Sequence, residues 1–490
     1  MSVVASQTER GMFVDGAFLP GGDLDWTQVR DPATGEEVGK ARRGGPREVD
    51  LAVEAAARAF PGWSEIPAST RGAILYAAAG RVLENAEALA LLLTREQGKP
   101  VREARLEIGR FVDTLEHYAG LAKAVRGGYV PHLDEGAHGL ILRRPLGVVA
   151  AIVPWNFPTT LLGNKLGPAL VAGNTVVAKP AETTPLTTLR IAELMHQAGV
   201  PAGVFNVVTG KGSELGAALV KHPLVRKVAF TGSTPVGRQI MAMAALATKR
   251  LTLELGGSDP MIVCADADLD AAVSAASVGR FFNCGQACLA VKRLYLFEAV
   301  ADEVVEKLVA KTRRLRIGPG TEEGVALGPL HTAEQRAAIE EQVADALDRG
   351  AELLHGGRRP IGDHYDAGFF YEPTLLLEPA RDSRVATEEV FGPALPIWRV
   401  ADLEEAIELA NSSIYGLGSS IFTRDLDTAT IAAERLEAGY TWINSPQKIY
   451  DELPFGGVGE SGFGKEHGIE ALDHYTELKS VVVKRTAGSR

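Results

Sequence analysis

Apolar residues recur at three- and four-residue spacing in EVDLAVEAAARAF (48–60) and RGAILYAAAGRVLENAEALALLLTREQGK (71–99). That period predicts a largely helical N-terminal third. The segment EGAHGLILRRPLGVVAAIVPW (135–155) then turns extended. From about residue 146 the pattern alternates. GVVAAIV, NTVVAK, GVFNVV and KVAFTG read as short, continuously apolar strands. PLTTLRIAELMHQAG and PVGRQIMAMAALA between them read as helices, with Thr184 as an N-cap and Pro185 at the first helical position. Strands and helices alternating at this length predict a parallel sheet covered on both faces. After about residue 256 a second series begins, with PMIVC, RLYLF, ALPIWRV and YTWIN as strands. DLDAAVSAASVGRFF, ADEVVEKLVAKTRRL and LEEAIELAN are its helices. The tail HYTELKSVVVKR ends in a β-type run, a liability unless it adds to a sheet of another domain or subunit.

At 490 residues the chain is too long for one ordinary core, so the two series predict separate α/β domains. The net charge of −11 gives no support for a nucleic-acid or anionic-membrane partner. The N-terminus lacks a secretory pattern, and the most apolar region is broken by prolines, asparagines and Lys165. Three cysteines make no disulfide framework, and a cytoplasmic setting is expected.

Two of those cysteines, Cys284 and Cys288, lie in FFNCGQACLA (281–290). No second Cys/His pair accompanies them, so a zinc site is not expected and no metal is assigned. Buried, inert thiols are the ordinary outcome. Here, however, a polar, glycine-containing turn follows an apolar helix, and a thiol in such a turn is placed for nucleophilic work. In PWNFP (154–158) two prolines fence Asn156 into a stiff turn. It is either a simple braced turn or a rigid carboxamide aimed at an oxyanion. In LELGG (253–257) Glu254 is either on a solvated strand face or a general base at a strand end. FTGSTPVG (230–237) runs a strand through Ser233 into a helix whose N-terminus suits a phosphate. TGKGSELG (209–216), with Gly212 and Gly216, offers a second glycine-rich turn. In VVAKPAE (176–182), Lys179 and Glu182 are surface charges by default, or face a ribose from a strand end.

Taken together, PWNFP, AGNTVVAKPAE, FTGSTPVG, LELGG, FFNCGQAC, EEVFGP, PFGGVGESGFGKEHG and YTELKSVVV resemble, in order and spacing, the aldehyde dehydrogenase superfamily, from about residue 12 to 486. The resemblance implies two Rossmann-like parallel-sheet domains, for cofactor and catalysis, plus a small β oligomerisation element. The expected division is 1–126 with 146–255 for NAD, 256–445 for catalysis, 446–470 as a return segment lining the active site, and 127–145 with 471–490 for oligomerisation. A homodimer or homotetramer is expected.

The resemblance also implies roles. Cys288 would attack the aldehyde, and Asn156 with the Cys288 N–H would hold the oxyanion. Glu254 would activate water on the thioester, while Lys165 and Glu466 match positions linked to proton relay. Ser233 would meet the pyrophosphate, near Trp155, Gly212 and Gly216, and Lys179 and Glu182 the adenosine ribose. Glu389 and Phe391 would position the nicotinamide end. Glu182 favours NAD over NADP, because a carboxylate bonds a 2′-hydroxyl and repels a 2′-phosphate. The presence of Glu254 favours water over coenzyme A as acyl acceptor.

The sequence resembles the branch of succinate-semialdehyde, lactaldehyde and non-phosphorylating glyceraldehyde enzymes. Succinate-semialdehyde members usually carry arginines where Phe282 and Asn164 stand. Their absence argues against a short dicarboxylic semialdehyde. Phe157, Leu161, Phe282 and Phe455 suggest an apolar entrance, with Lys448 and Gln447 reaching the substrate's outer end or simply solvated. A hydroxyaldehyde or an aromatic aldehyde is expected. The alternatives are a succinate-semialdehyde-type enzyme, a catalytically silent family member, or a cysteine hydrolase needing no nicotinamide. Cys284 is expected to pack, or to form a reversible disulfide with Cys288 under oxidation.

Overall fold

The computed structural model describes residues 9–19 and 25–485. The expected first domain therefore includes residues 1–8 and 20–24, and the expected oligomerisation element residues 486–490, that lie outside the described residues.

Five strands form the parallel heart of the first sheet. Their spatial order is Arg250–Glu254, Val225–Thr231, Val148–Ile152, Thr175–Lys179 and Phe205–Val207. Every residue of the adjacent strands Val148–Ile152 and Thr175–Lys179 is buried, which is why 148–152 and 176–178 read as unbroken apolar runs. The order reverses between Val148–Ile152 and Val225–Thr231. In a Rossmann-like sheet that reversal opens a crevice beyond the strand C-termini. PWNFP follows the first of these strands directly, and Gly232–Ser233 the second.

Short antiparallel pieces complete this sheet. Phe13–Val14 and Ala17–Phe18 extend one edge, and Gly462–Phe463 pairs with Arg250–Glu254 at the other. A further three-stranded sheet contains Glu9–Arg10, Trp26–Arg30 and Glu37–Arg42. Among the described residues, the regular elements before residue 46 are thus all strands. Helices begin at Pro46–Glu65 and continue through Ala68–Leu83, Ala86–Gln97 and Val101–Leu121. These strands are two to six residues long, too short for a clear period.

The second sheet has the order Glu352–His355, Thr374–Leu377, Ala394–Val400, Val291–Phe297, Asp259–Val263, Gly418–Phe422 and Tyr440–Ile443. All pairs are parallel except the first. The tail strand Thr476–Lys484 pairs along its length with Ala137–Pro145 of the same chain, and Gly128–Val130 lies on the far side. No described helix is long and apolar enough to cross a membrane.

Two local readings need correction. The helix after Pro185 is Leu186–Gln197, one residue later than expected, and Thr184 does not cap it. The Glu96 carboxylate of another helix accepts the Leu186 and Thr187 N–H groups at 2.8 and 3.0 Å. Second, only the start of TGKGSELG is a turn, because Gly212–Lys221 is helical and Gly216 lies inside it.

Candidate active site

The cysteine segment carries three consecutive residues in left-handed backbone conformation. The helix Leu269–Phe281, capped by the Asp268 carboxylate, ends in a tight turn over Phe282–Gly285. Asn283, Cys284 and Gly285 all have left-handed φ, at +50°, +56° and +72°. For cysteine that conformation is strained, so surrounding contacts must impose it. They are all buried. Glu103 accepts the Asn283 N–H at 2.8 Å, and Asn283 Nδ2 donates to the Asn156 carbonyl at 2.9 Å. The Arg280 guanidinium donates to the carbonyls of Gly285, Val291 and Val390. A Cβ on Gly285 would sit 2.3 Å from the Gly392 oxygen, so glycine is required there. Cys284 packs into the second sheet's core and is a free thiol, as are Cys264 and Cys288.

Cys288 emerges half-buried from this turn. Burial pushes its thiol up to about 12; Lys292 opposes the shift, while Asp259, Glu389 and Glu254 add to it. The Lys292 ammonium is itself buried and donates to the Gly257 carbonyl, the Cys288 carbonyl and Glu389 Oε1, at 2.7, 2.8 and 2.5 Å.

Asn156 is buried, and its Nδ2 donates to the Gln286 carbonyl at 3.0 Å, tying the PWNFP turn to the cysteine segment. The Asn156 carbonyl accepts Lys99 Nζ at 2.6 Å. Glu254 ends its strand opposite Thr231 and Gly462. Its carboxylate is buried with neither oxygen hydrogen-bonded. Burial, then the nearby Glu466 charge, raise its pKa well above the usual carboxylate range, against Lys165 and Lys465. Lys165 and Glu466 form a fully buried ion pair at 2.6 Å. Lys165 also donates to Thr231 Oγ1, and Asn164 Nδ2 to Glu466. The Asn164 side chain is therefore engaged with Glu466.

A cavity of about 230 Å³ lies at the sheet's switch point. Its lining includes Trp155, Asn156, Ser233, Cys288, Glu389 and Phe391, together with Thr231, Leu255 and Gln335. Ser233 is exposed and precedes the helix Thr234–Ala245, whose first N–H groups are free of side-chain caps. Lys179 is buried, donates to the Pro180 carbonyl at 2.8 Å, and is pushed down to about 8 by burial, with Glu182 opposing. Glu182 is half-buried. A Cβ on Gly212 would lie 3.8 Å from Lys179 Nζ, whereas one on Gly216 would meet nothing. Gly216 therefore adds helix, with no close approach to explain it. Phe391 presents edge-to-face geometry to Trp155, at 5.6 Å and 86°.

The aromatic residues expected at the entrance divide. Phe157 and Phe282 are half-buried and lie parallel, 6.1 Å apart and inclined by 6°. Leu161 is buried in the helix Pro158–Ala172. Phe455 is buried against Tyr440 and bridges Glu466 by its backbone. Lys448 is exposed, with Nζ 4.9 Å from the Tyr450 ring. Gln447 carries buried amide atoms without hydrogen-bond partners.

Sequence reasoning missed Lys99, Glu103, Arg280, Lys292 and His331. Lys99 pairs with Glu107, stands 4.0 Å over the Phe157 ring, and supports PWNFP. Glu103 is raised to about 7, chiefly by burial. In sequence all five read as ordinary helix or loop polar residues.

Fold and site together describe a crevice at a sheet switch point lined by a half-buried thiol and a carboxamide, with the buried Glu254 carboxylate at the end of an adjacent strand. The family model of the aldehyde dehydrogenases matches residues 19–481, and the chain belongs to that family. It is an oxidoreductase acting on aldehydes. It is 42% identical to the glutarate-semialdehyde dehydrogenase of Pseudomonas aeruginosa, over 95% of this chain and 96% of the relative. It is 40% identical to the NADP(+) succinate-semialdehyde dehydrogenase of Escherichia coli K12, over 96% and 97%. Among solved structures it resembles PnpE, from Pseudomonas sp. WBC-3, in complex with nicotinamide adenine dinucleotide. There the TM-score is 0.95 at 41% identity, over 98% of both chains.

Proposed function

We propose that the protein oxidises an aldehyde to its carboxylic acid with NAD, through a thioester on Cys288 that water hydrolyses. The observation carrying this reading is one cavity at the switch point, lined at once by Cys288, Asn156, Ser233 and Glu389. The residues present fit a nicotinamide dinucleotide. A helix N-terminus behind Ser233 suits its phosphates, Lys179 and Glu182 stand at a parallel-strand end for a ribose, and Glu389 and Phe391 line the cavity for the nicotinamide end.

Each residue then has a task. The Cys288 thiolate adds to the carbonyl carbon, forming the C–S bond and an oxyanion. The Asn156 carboxamide donates to the Gln286 carbonyl, with Lys99 holding the Asn156 main-chain carbonyl, and keeps one N–H for that oxyanion, beside the Cys288 N–H. The bound dinucleotide supplies the acceptor for the hydride that leaves this carbon. The thioester is opened by a water whose proton goes to Glu254; the carbon–sulfur bond breaks and Cys288 is regenerated. A buried carboxylate with a raised pKa is a stronger base once ionised. Lys165 and Glu466 adjoin it electrostatically as a buried ion pair, with Lys165 also donating to Thr231 Oγ1, and are read as the relay for that proton. We read the two parallel-sheet units as cofactor and catalytic domains. Residues 127–145 and 471–490 are read as the element that joins subunits into a homodimer or homotetramer in the cytoplasm.

The stacked Phe157 and Phe282 favour a small hydroxyaldehyde or an apolar or aromatic aldehyde. Similarity to two semialdehyde dehydrogenases favours instead a substrate with a terminal carboxylate. NADH or NADPH formation with lactaldehyde, glyceraldehyde, succinate semialdehyde, glutarate semialdehyde and benzaldehyde separates them. Reduced cofactor with any member supports the aldehyde reading, and none with either dinucleotide refutes it. A higher kcat/KM with benzaldehyde or lactaldehyde supports the apolar entrance. A higher value with NADP than NAD would overturn the role given to Glu182.

A further inference from the structure

His331 is buried, and its backbone N–H and both ring nitrogens are engaged. Its backbone N–H donates to Gln286 Oε1 at 2.8 Å, and Gln286 Nε2 in turn donates to the Asn283 carbonyl at 3.1 Å. Its ring stacks on Trp155, 4.5 Å between centroids and 13° between planes. Nδ1 lies 3.0 Å from the Gln97 carbonyl, and Nε2 lies 2.6 Å from Thr183 Oγ1. The tautomer follows from these partners. A carbonyl only accepts, so Nδ1 carries the proton. Burial lowers the imidazole pKa to about 4, so the ring is neutral near pH 7 and Nε2 accepts from the Thr183 hydroxyl.

One residue therefore touches three parts of the site, two through its ring and the third through its backbone N–H. Trp155 lines the cavity and meets Phe391 edge-on. Thr183 is the neighbour of Glu182. Gln286 belongs to the cysteine segment. We propose that His331 is a positioning residue that sets the Trp155 wall of the dinucleotide site and the Glu182 loop together, and so tunes both cofactor affinity and the choice between NAD and NADP. This rests on the reading that Trp155 and Glu182 face the dinucleotide. Its logic is that of a supporting shell: residues that contact cofactor stay in place only if their own rotamers are held.

Three variants test it. His331→Ala removes stack and ring hydrogen bonds. His331→Phe keeps an aromatic face and removes both hydrogen bonds. Thr183→Val removes one hydroxyl from an exposed loop position, where folding is not at risk. His331→Ala should raise KM for NAD roughly three- to tenfold, the range of an aromatic pair, with kcat changed less. His331→Phe should recover most of that KM and the native tryptophan emission. His331→Phe and Thr183→Val should both lower the ratio of kcat/KM for NAD over NADP, because Glu182 is no longer anchored. An unchanged KM and ratio in folded variants would overturn the proposal. So would a fall in kcat and melting temperature that His331→Phe does not separate from KM. If His331→Ala does not fold, Thr183→Val alone decides through the ratio. Titration of wild-type protein with NAD, followed by tryptophan emission, keeps the two readings apart. No binding sinks the dinucleotide site itself, whereas normal binding with indifferent variants sinks only the role of His331.

Discussion

Replacing Glu254 by Gln changes one oxygen to nitrogen in a site that offers neither atom a hydrogen bond. Shape is kept, so any kinetic effect reports the missing base. A positioned general base contributes about 10²–10⁴-fold, or roughly 3–5 kcal/mol of barrier. That loss should fall on deacylation, leaving acylation and hydride loss nearly intact. Stopped-flow absorbance should show a burst of reduced cofactor close to one per site, followed by a steady state slower by that factor. The pH dependence has a definite sign. Burial and Glu466 raise the Glu254 pKa, so in the native enzyme the ionised fraction, and with it deacylation, climbs as pH rises through that value. The Gln variant should lose this limb. Stability shifts oppositely. A carboxyl whose folded pKa is raised loses folded-state stability as pH rises past its unfolded value, so Glu254→Gln should gain stability relative to the native protein toward alkaline pH. A native steady-state rate in the variant would refute the assignment, as would a lost burst in a protein that still binds cofactor.

Lys165→Met should cost about 3–5 kcal/mol, because it strands a buried Glu466 carboxylate; adding Glu466→Gln should recover much of it. Urea midpoints followed by two probes check this, and additive losses would contradict it. Gly285→Ala should destabilise by at least ~1–2 kcal/mol for its left-handed φ alone and collapse kcat/KM, since its Cβ meets the Gly392 oxygen. Retained activity and melting temperature would show that the turn can relax. Lys292→Met should move the pH profile of Cys288 alkylation by iodoacetamide upward, because the lysine charge opposes the burial shift. A downward or absent movement would mean another group ionises the thiol.

Much of this site is legible in the sequence. The parallel strands were visible because burial on both faces makes Val148–Ile152 wholly apolar and leaves polar residues only at the two ends of Thr175–Lys179. Cys288, Asn156 and Ser233 stood out because each sits in a turn after a strongly patterned strand or helix, and all three meet at one cavity. What sequence hid was support across the fold. His331 meets Gln97 and Thr183, and Glu103 meets Asn283, over separations that no local pattern encodes. Glu96 replaces Thr184 as a helix cap for the same reason. Asn164 carried a local expectation about substrate charge, but its amide is occupied by Glu466. Short strands before residue 42 escaped because two to six residues cannot establish a period.

The central claim is that the aldehyde carbon becomes covalently attached to Cys288. Glu254→Gln protein should be mixed with NAD and a turned-over aldehyde, quenched in acid within the burst, digested and analysed by fragment-resolved mass spectrometry. The account predicts an acyl group, in place of one hydrogen, on Cys288, with Cys264 and Cys284 unmodified and no adduct in Cys288→Ser. Reduced cofactor formed with no acyl adduct, or an adduct on Cys284, would contradict it.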